Sequence, residues 1–148
     1  MAQRLTRPLR GSDYADAHPV FEVLSDEVAG EAAFTTILAH PGTTIFGSFD
    51  GGTLAAVVTL HVLPNMTRGA RPYALIENVA SLPSLRGTGH GRDAMQAAIN
   101  AAWVADCYKI MLLTGQDNGA RGFYERLGFS ADQKFGMQMR RVPPRGGG

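Results

Sequence analysis

The chain reads YALIENVASLPSLRGTGHGR from Tyr73 to Arg92, and this stretch predicts a strand, a glycine-rich turn and a helix in succession. Its first nine residues are mostly apolar, with Glu77 as the one charge, and they predict a β-strand over 73–81. Three glycines within residues 87–91 then predict a turn. Apolar side chains follow at helical spacing, and they predict a helix over 92–105: Met95, Ala98, Ile99 and Ala102.

The glycine-rich loop has the composition of an anion site. Glycine lets the backbone approach an anion closely and turn its N–H groups toward it. The N-terminus of the following helix adds a partial positive charge, and Arg86 and Arg92 add full charges. The chain lacks the G-x-x-x-x-G-K-[ST] string of a P-loop, and Arg92 stands where a dinucleotide fingerprint needs its last glycine. The loop therefore indicates a pyrophosphate cradle of another type; the alternative is a turn that only connects a strand to a helix.

The segments on either side predict one mixed α/β domain. Further strands are expected at 4–9, 44–49, 53–62, 109–113 and 137–142. Further helices are expected from Pro19 onward, around residues 34–38 and around residues 120–127. An antiparallel meander followed by a β-α-β-α-β half predicts a three-layer α/β/α sandwich around a mixed sheet. Residues 1–142 are expected to form this single domain, and the tail 143–148 to be disordered.

Composition limits the classes of partner. The 148 residues carry a net charge of +1, so nothing suggests the basic face that a nucleic-acid partner needs. The longest clean apolar run, residues 54–58, is too short to span a bilayer, and the N-terminus has no signal-peptide core. We therefore expect a cytoplasmic protein with no membrane partner. One cysteine and four scattered histidines give no metal-ligand spacing, so we expect no metal.

Two motifs make the chain resemble the GNAT superfamily of N-acetyltransferases. Arg86, Gly89 and Gly91 match the R-x-x-G-x-G signature of that superfamily. FYERLGF at 123–129 matches its F-Y-E-[KR]-x-G-F segment, in the usual order and at the usual distance. The close match covers residues 73–130. The resemblance implies a central sheet that is splayed between its fourth and fifth strands at a bulge, with acetyl-CoA as co-substrate.

The resemblance also assigns a coenzyme A site by position. In the superfamily, pantetheine pairs with the fourth strand, and here the matching residues are Val79, Ala80 and Ser81. The diphosphate would lie on Arg86, Gly87, Thr88, Gly89, His90, Gly91 and Arg92, although His90 stands where an aliphatic residue is usual. Asp117 stands where the superfamily often has asparagine, with Asn118 beside it. One of these two is the expected further contact with coenzyme A.

Acetyl transfer from a thioester to an amine needs an ammonium to lose a proton, an oxyanion to be held and a thiolate to be protonated. No nucleophilic side chain is needed if the amine attacks directly. Glu77 is the candidate base, because partial burial in its apolar strand would raise its pKa; a solvent-facing strand residue is the equal alternative. Tyr124 is the candidate acid, because the superfamily places this tyrosine near the sulfur; a core aromatic residue is the alternative.

The sequence thus predicts an N-acetyltransferase that acts on a primary amine of a small molecule. Two alternatives stay open: a non-catalytic module that binds acyl-CoA, and an acetyltransferase for proteins or peptides. CYKI at 107–110 and MQMR at 137–140 are similar to segments of the glucosamine-6-phosphate N-acetyltransferases, which place an arginine at the position of Arg140 on substrate phosphate across a dimer.

We therefore hypothesise a homodimer and an anionic acceptor. Arg68 and Arg71 lie in the loop that borders the acceptor cleft in the superfamily, and they would join Arg140 in binding that acceptor. Guanidinium groups suit phosphate or carboxylate because their fork matches two oxygens. His61, near the end of the third strand, points either into the cleft or into solvent. For each arginine alone, a solvated surface charge is the alternative.

Overall fold

The computed structural model describes residues 3–117 and 119–144. The chain divides into two compact units, Met1–Met111 and Leu112–Gly148. The first unit contains a sheet in the order β1-β2-β3-β4-β5. Its strands are β1 (Arg4–Pro8), β2 (Thr43–Asp50), β3 (Thr53–Leu63), β4 (Tyr73–Ser81) and β5 (Ile110–Met111). The helices of this unit are α1 (Tyr14–Phe21), α2 (Glu31–Ala39) and α3 (His90–Val104), and the second unit contains α4 (Arg121–Arg126).

The sheet is mixed, as expected. Strands β1 to β4 pair with antiparallel neighbours, and β4 pairs with β5 in parallel. Helices cover both of its faces. A Cβ on Gly47 of β2 would meet the side chains of Leu9 and Leu54, whereas the next residue, Ser48, hydrogen-bonds His90 of α3. Since successive strand residues point to opposite faces, α3 lies on the face opposite the Leu9 core.

Each face has its own core, and the three-layer prediction is confirmed. The face under α1 and α2 packs a cluster of Leu9, Ala17, Val20, Phe34, Ile45, Phe49, Leu54, Val57 and Ala80. On the other face α3 buries Ala94, Met95, Ala98, Ile99 and Ala102. No helix within 3–117 or 119–144 is long and apolar enough to cross a bilayer.

The helix predicted from Pro19 onward is wrong in its boundaries. It begins at Tyr14, directly after a 3-10 turn at Gly11–Asp13, and ends at Phe21 with Pro19 inside it. The Asp13 carboxylate accepts a hydrogen bond from the Arg10 backbone N–H at 2.7 Å, which supports this earlier start. Proline is common at the first helical position, but here the helix loses one backbone hydrogen bond in order to contain it.

Other predicted elements near the site also differ from expectation. Helix α3 begins at His90, before the predicted residue 92, and β5 has only two residues of the predicted 109–113. The strand predicted at 137–142 is absent from the described residues, so the placement of Arg140 in a last strand is wrong. Met137 and Met139 alternate as in a strand, but both are exposed, because no neighbouring strand pairs with them in the described chain.

Candidate active site

The fourth strand carries a β-bulge in its middle. Thr59 pairs with Glu77 and Val57 with Ala80, so Asn78 and Val79 together stand opposite one residue of β3. Asn78 has a φ of 52°, in the left-handed region that asparagine enters more readily than most residues. A bulge bends its strand and increases the local twist. It therefore changes the direction of the strand just before 79–81.

Strand β4 also leaves β5 before the bulge. The two strands pair only at Ala74 with Ile110 and at Leu75 with Met111. The ladder with β3 continues to Ser81. Within the described residues, positions 76–81 therefore have a strand partner on the β3 side only, and the splayed sheet is confirmed. Val79, Ala80 and Ser81 all lie in this stretch; Ala80 is buried, and the other two are half-buried.

The loop after β4 leads into a helix N-terminus with no side-chain cap. Gly87 and Gly89 have φ values of 77° and 93°, and Gly89 is the N-cap residue of α3. The first turn of an α-helix leaves its N–H groups without intrahelical acceptors, and the first such bond here runs from Asp93 N–H to Gly89 O at 3.0 Å. A Cβ on Gly87 would meet open space, and the side chains of Arg86 and Arg92 are exposed.

This geometry suits an anion. The backbone N–H groups of His90, Gly91 and Arg92 precede the first intrahelical bond, and the helix dipole is positive at this end. The two flanking arginines add charge that the described chain does not neutralise with an ion pair. A diphosphate is therefore a fitting ligand for 86–92.

His90 takes part through its backbone, because its imidazole is buried. Its Nδ1 lies 2.7 Å from Ser48 Oγ on β2, and only 2% of the residue is exposed. The side chain therefore fastens the first residue of α3 to the sheet. A histidine stands at this usually aliphatic position with a specific buried partner for its imidazole.

Glu77 is exposed, so the expected burial of its carboxylate is wrong. It shares a face of the sheet with His61, because Thr59 pairs with Glu77 and His61 follows two residues later on β3. His61 is half-buried, and its Nδ1 lies 2.9 Å from Thr43 Oγ1. That same oxygen lies 3.1 Å from His40 Nδ1. His61 is thus oriented by a neighbouring strand, on the same face as the candidate base.

The arginines proposed for the acceptor already have partners. The Arg68 guanidinium lies 5.6 Å from the ring centroid of Tyr108, and Arg71 forms an ion pair with Asp106 at 3.1 Å. Both arginines are exposed. In the second unit Arg140 is exposed, and its Nε donates to Val142 O at 2.9 Å. Convergence of these arginines on one acceptor stays a prediction.

Tyr124 lies on α4, half-buried among aromatic rings. The centroids of Phe123 and Phe129 are 5.2 and 6.2 Å from that of Tyr124. Burial raises the pKa of the Tyr124 phenol, so the phenol keeps its proton at neutral pH. Asp117 is exposed. Asn118 lies outside the described residues.

Comparison with known proteins decides the family. The sequence profile of the Acetyltransferase (GNAT) family matches residues 11–129. The chain belongs to this family. It is similar to a putative acetyltransferase from Agrobacterium tumefaciens, with 41% identity, a TM-score of 0.84 and coverage of 93% of this chain and 99% of that one.

Two further similar proteins are named for an amino-sugar phosphate. Glucosamine 6-phosphate N-acetyltransferase of Trypanosoma brucei brucei is 33% identical over 92 residues, which span 62% of this chain and only 61% of that protein. Glucosamine-6-phosphate N-acetyltransferase of Arabidopsis thaliana is 20% identical, with a TM-score of 0.80 and coverage of 95% of this chain and 98% of that one. The plant structure supports the fold alone.

Sequence reasoning missed the residues that hold the GNAT loop from a distance. Arg4 on β1 donates to Thr88 O at 2.9 Å and to the Asp93 carboxylate at 2.7 Å. Ser48 and Thr43 likewise contact histidines far along the chain. No local pattern marks these residues. The one available signal was His90 itself, a polar residue at a usually aliphatic position that needs a buried partner.

In the described part of the chain no cluster of potential metal ligands forms.

Proposed function

We propose that this chain transfers an acetyl group from acetyl-CoA to a primary amine of a small molecule, by direct attack of the amine on the thioester. One observation carries the proposal. A bulged β4, which beyond Leu75 has no partner on its β5 side in the described chain, runs through a glycine loop into the N-terminus of α3, which has no side-chain cap. An extended chain that ends in a diphosphate, such as coenzyme A, has a complementary shape and charge.

In this proposal the donor binds mainly through backbone groups. The free edge of β4 at Val79, Ala80 and Ser81 pairs with the amides of pantetheine, as an added strand would. Residues 86–92 bind the diphosphate through N–H groups and two arginines. Asp117 or Asn118 supplies a further contact.

Glu77 and Tyr124 divide the proton transfers. Because Glu77 is exposed, its carboxylate is in contact with water. The carboxylate attracts the substrate ammonium, accepts a proton from it and passes that proton to solvent. Tyr124 keeps its phenolic proton because burial raises its pKa, so it donates to the departing thiolate. An exposed carboxylate and a half-buried phenol thus provide the base and the acid.

We propose an anionic acceptor. The support is the amino-sugar phosphate in the name of the trypanosomal relative, together with Arg68, Arg71 and Arg140. His61 completes the set, since Thr43 holds its ring on the face that carries Glu77. In the proposal Arg140 acts across a homodimer, and Arg71 exchanges its exposed ion pair with Asp106 for the acceptor.

Mass spectrometry of the amine product tests the proposal. The protein is incubated with acetyl-CoA labelled in its acetyl group and with glucosamine 6-phosphate or simpler amines. The label is expected on the amine nitrogen, and intact protein is expected to stay unlabelled throughout. In Glu77→Gln the rate should fall most at low pH, where the amine is protonated. Labelled protein, or a pH–rate profile of Glu77→Gln that overlays the parent profile, contradicts the assignment.

A further inference from the structure

We propose that Arg4 is a positioning residue for the diphosphate of coenzyme A, although it lies 84 residues before Thr88 in the chain. It fixes the glycine loop, and it neutralises a carboxylate that would otherwise repel the ligand. The inference rests on the function proposed above. It adds a residue that lies outside both sequence motifs.

Arg4 contacts three successive parts of the phosphate loop and helix. One guanidinium nitrogen donates to Thr88 O at 2.9 Å and lies 3.4 Å from His90 Nε2. The other donates to Asp93 Oδ2 at 2.7 Å and would lie 3.1 Å from a Cβ placed on Gly89. Both members of the Arg4–Asp93 pair have side chains that are 42% exposed. Such an arrangement of contacts fixes a loop more firmly than one surface ion pair would.

The contact with Thr88 orients a donor. In a trans peptide the C=O and the next N–H point in opposite directions, and no cis bond occurs among the described residues. Arg4 draws the Thr88 carbonyl toward β1, so the Gly89 N–H points away from β1. This orientation adds a Gly89 donor to the free N–H groups at the start of α3.

The contact with His90 fixes an imidazole tautomer. Arginine has only donors, so the His90 Nε2 that faces it is the acceptor, and the ring proton lies on Nδ1. Nδ1–H then donates to Ser48 Oγ. Arg4 and Ser48 thus hold the first residue of α3 from two strands, β1 and β2.

The contact with Asp93 removes a repulsion. Asp93 lies in the first turn of α3, where a carboxylate stabilises the helix dipole but opposes a bound anion. With Arg4 paired to it, the Asp93 charge is neutralised, and the positive charge of Arg92 in the same turn faces the anion without a competing carboxylate. Without Arg4, the diphosphate would meet an unneutralised negative charge beside its binding amides.

Calorimetry of coenzyme A binding to Arg4→Met, Asp93→Asn and the double variant tests this inference. We expect Arg4→Met to raise the Kd about tenfold, which corresponds to about 1.4 kcal/mol. Adding Asp93→Asn to Arg4→Met should recover part of that loss, about threefold, while Asp93→Asn alone should change the Kd less than twofold. Arg4→Lys, which keeps the charge without the fork, should fall between the parent and Arg4→Met.

A donor without the diphosphate separates positioning from general damage. The value of kcat/KM for S-acetylpantetheine should be unchanged in Arg4→Met. If Arg4→Met and Arg4→Lys bind coenzyme A like the parent, Arg4 has no role at the diphosphate. The same holds if Arg4→Met lowers kcat/KM equally for acetyl-CoA and for S-acetylpantetheine. If the parent itself does not bind coenzyme A, the proposed function fails and this inference fails with it.

Discussion

Among single residues, Asp13 shows how one carboxylate holds the 3-10 turn that leads into α1. It accepts hydrogen bonds from both terminal nitrogens of Arg7, at 2.8 and 2.9 Å, and from the Arg10 backbone N–H at 2.7 Å. The Arg7 hydrogen bonds are the largest cause that lowers the pKa of Asp13, and they outweigh its burial. Arg7 also lies 4.5 Å from the ring centroid of Phe49 in the core. The pair therefore links β1, α1 and the core.

Asp13→Asn should destabilise the fold at neutral pH by about 2 kcal/mol, because charge-assisted hydrogen bonds to a mostly buried side chain are lost. The folded pKa of Asp13 is lowered, so its stabilisation is present above the unfolded value of about 3.9 and is lost as pH falls through the folded pKa. Urea unfolding at pH 7 and at pH 3.5 measures this. The difference between parent and variant should shrink at the lower pH, and a constant difference contradicts the account.

Tyr124 is the residue with the most direct chemical prediction. Tyr124→Phe should lower kcat about a hundredfold, the scale of general acid catalysis, and change the KM for acetyl-CoA little, because the phenol acts on a thiolate that develops only in the transition state. Tyr14→Phe is the matched control, since its phenol donates to Ala29 O instead. A normal kcat in Tyr124→Phe assigns the proton to another group or to water.

At the scale of elements, sequence patterns predicted the strands and helices that are stabilised by interactions between neighbouring residues. Strand 73–81 and the helix after it carry clear β and helical spacing, and both formed within two residues of expectation. The bulge at Asn78 has no such signal, because it depends on the register with β3. Two local patterns gave wrong predictions. Pro19 predicted a helix start but lies inside α1, and the alternation of Met137 and Met139 predicted a strand, but both side chains are exposed.

The N-cap of α3 gives the sharpest prediction for an element. Gly89→Ala should raise the coenzyme A Kd about tenfold, because a φ of 93° strains any side chain and the added Cβ would lie 3.1 Å from Arg4. Gly52→Ala is the control, since its Cβ would meet open space and its φ is not positive. Calorimetry of both variants makes the measurement. Equal affinity in the two variants would place the diphosphate elsewhere.

At the scale of the whole molecule, the motifs of the candidate site can be named from the sequence, whereas the distant residues that contact them cannot. The R-x-x-G-x-G and F-Y-E segments are contiguous, so their residues can be named from sequence. Arg4, Ser48 and Thr43 lie far in the sequence from the residues that they contact. The folded sheet brings Arg4 and Ser48 to the loop and α3, and Thr43 to His61.

An anionic acceptor is the prediction that belongs to this scale. Anionic primary amines should react with a higher kcat/KM than neutral analogues of the same shape. Arg140→Ala should lower that preference about tenfold, the scale of one charge-assisted hydrogen bond. Light scattering should show a dimer. A parent that prefers the neutral amines, or an Arg140→Ala variant that keeps the preference, contradicts the idea.

The central claim is catalysis of acetyl transfer, and the most direct measurement is the rate of free thiol release from acetyl-CoA with and without a panel of primary amines. We expect slow release without amine, and release that rises with amine concentration to saturation for at least one amine. Acetyl-CoA binding with no release that depends on any amine would contradict it, and would identify a module that binds acyl-CoA without turning it over.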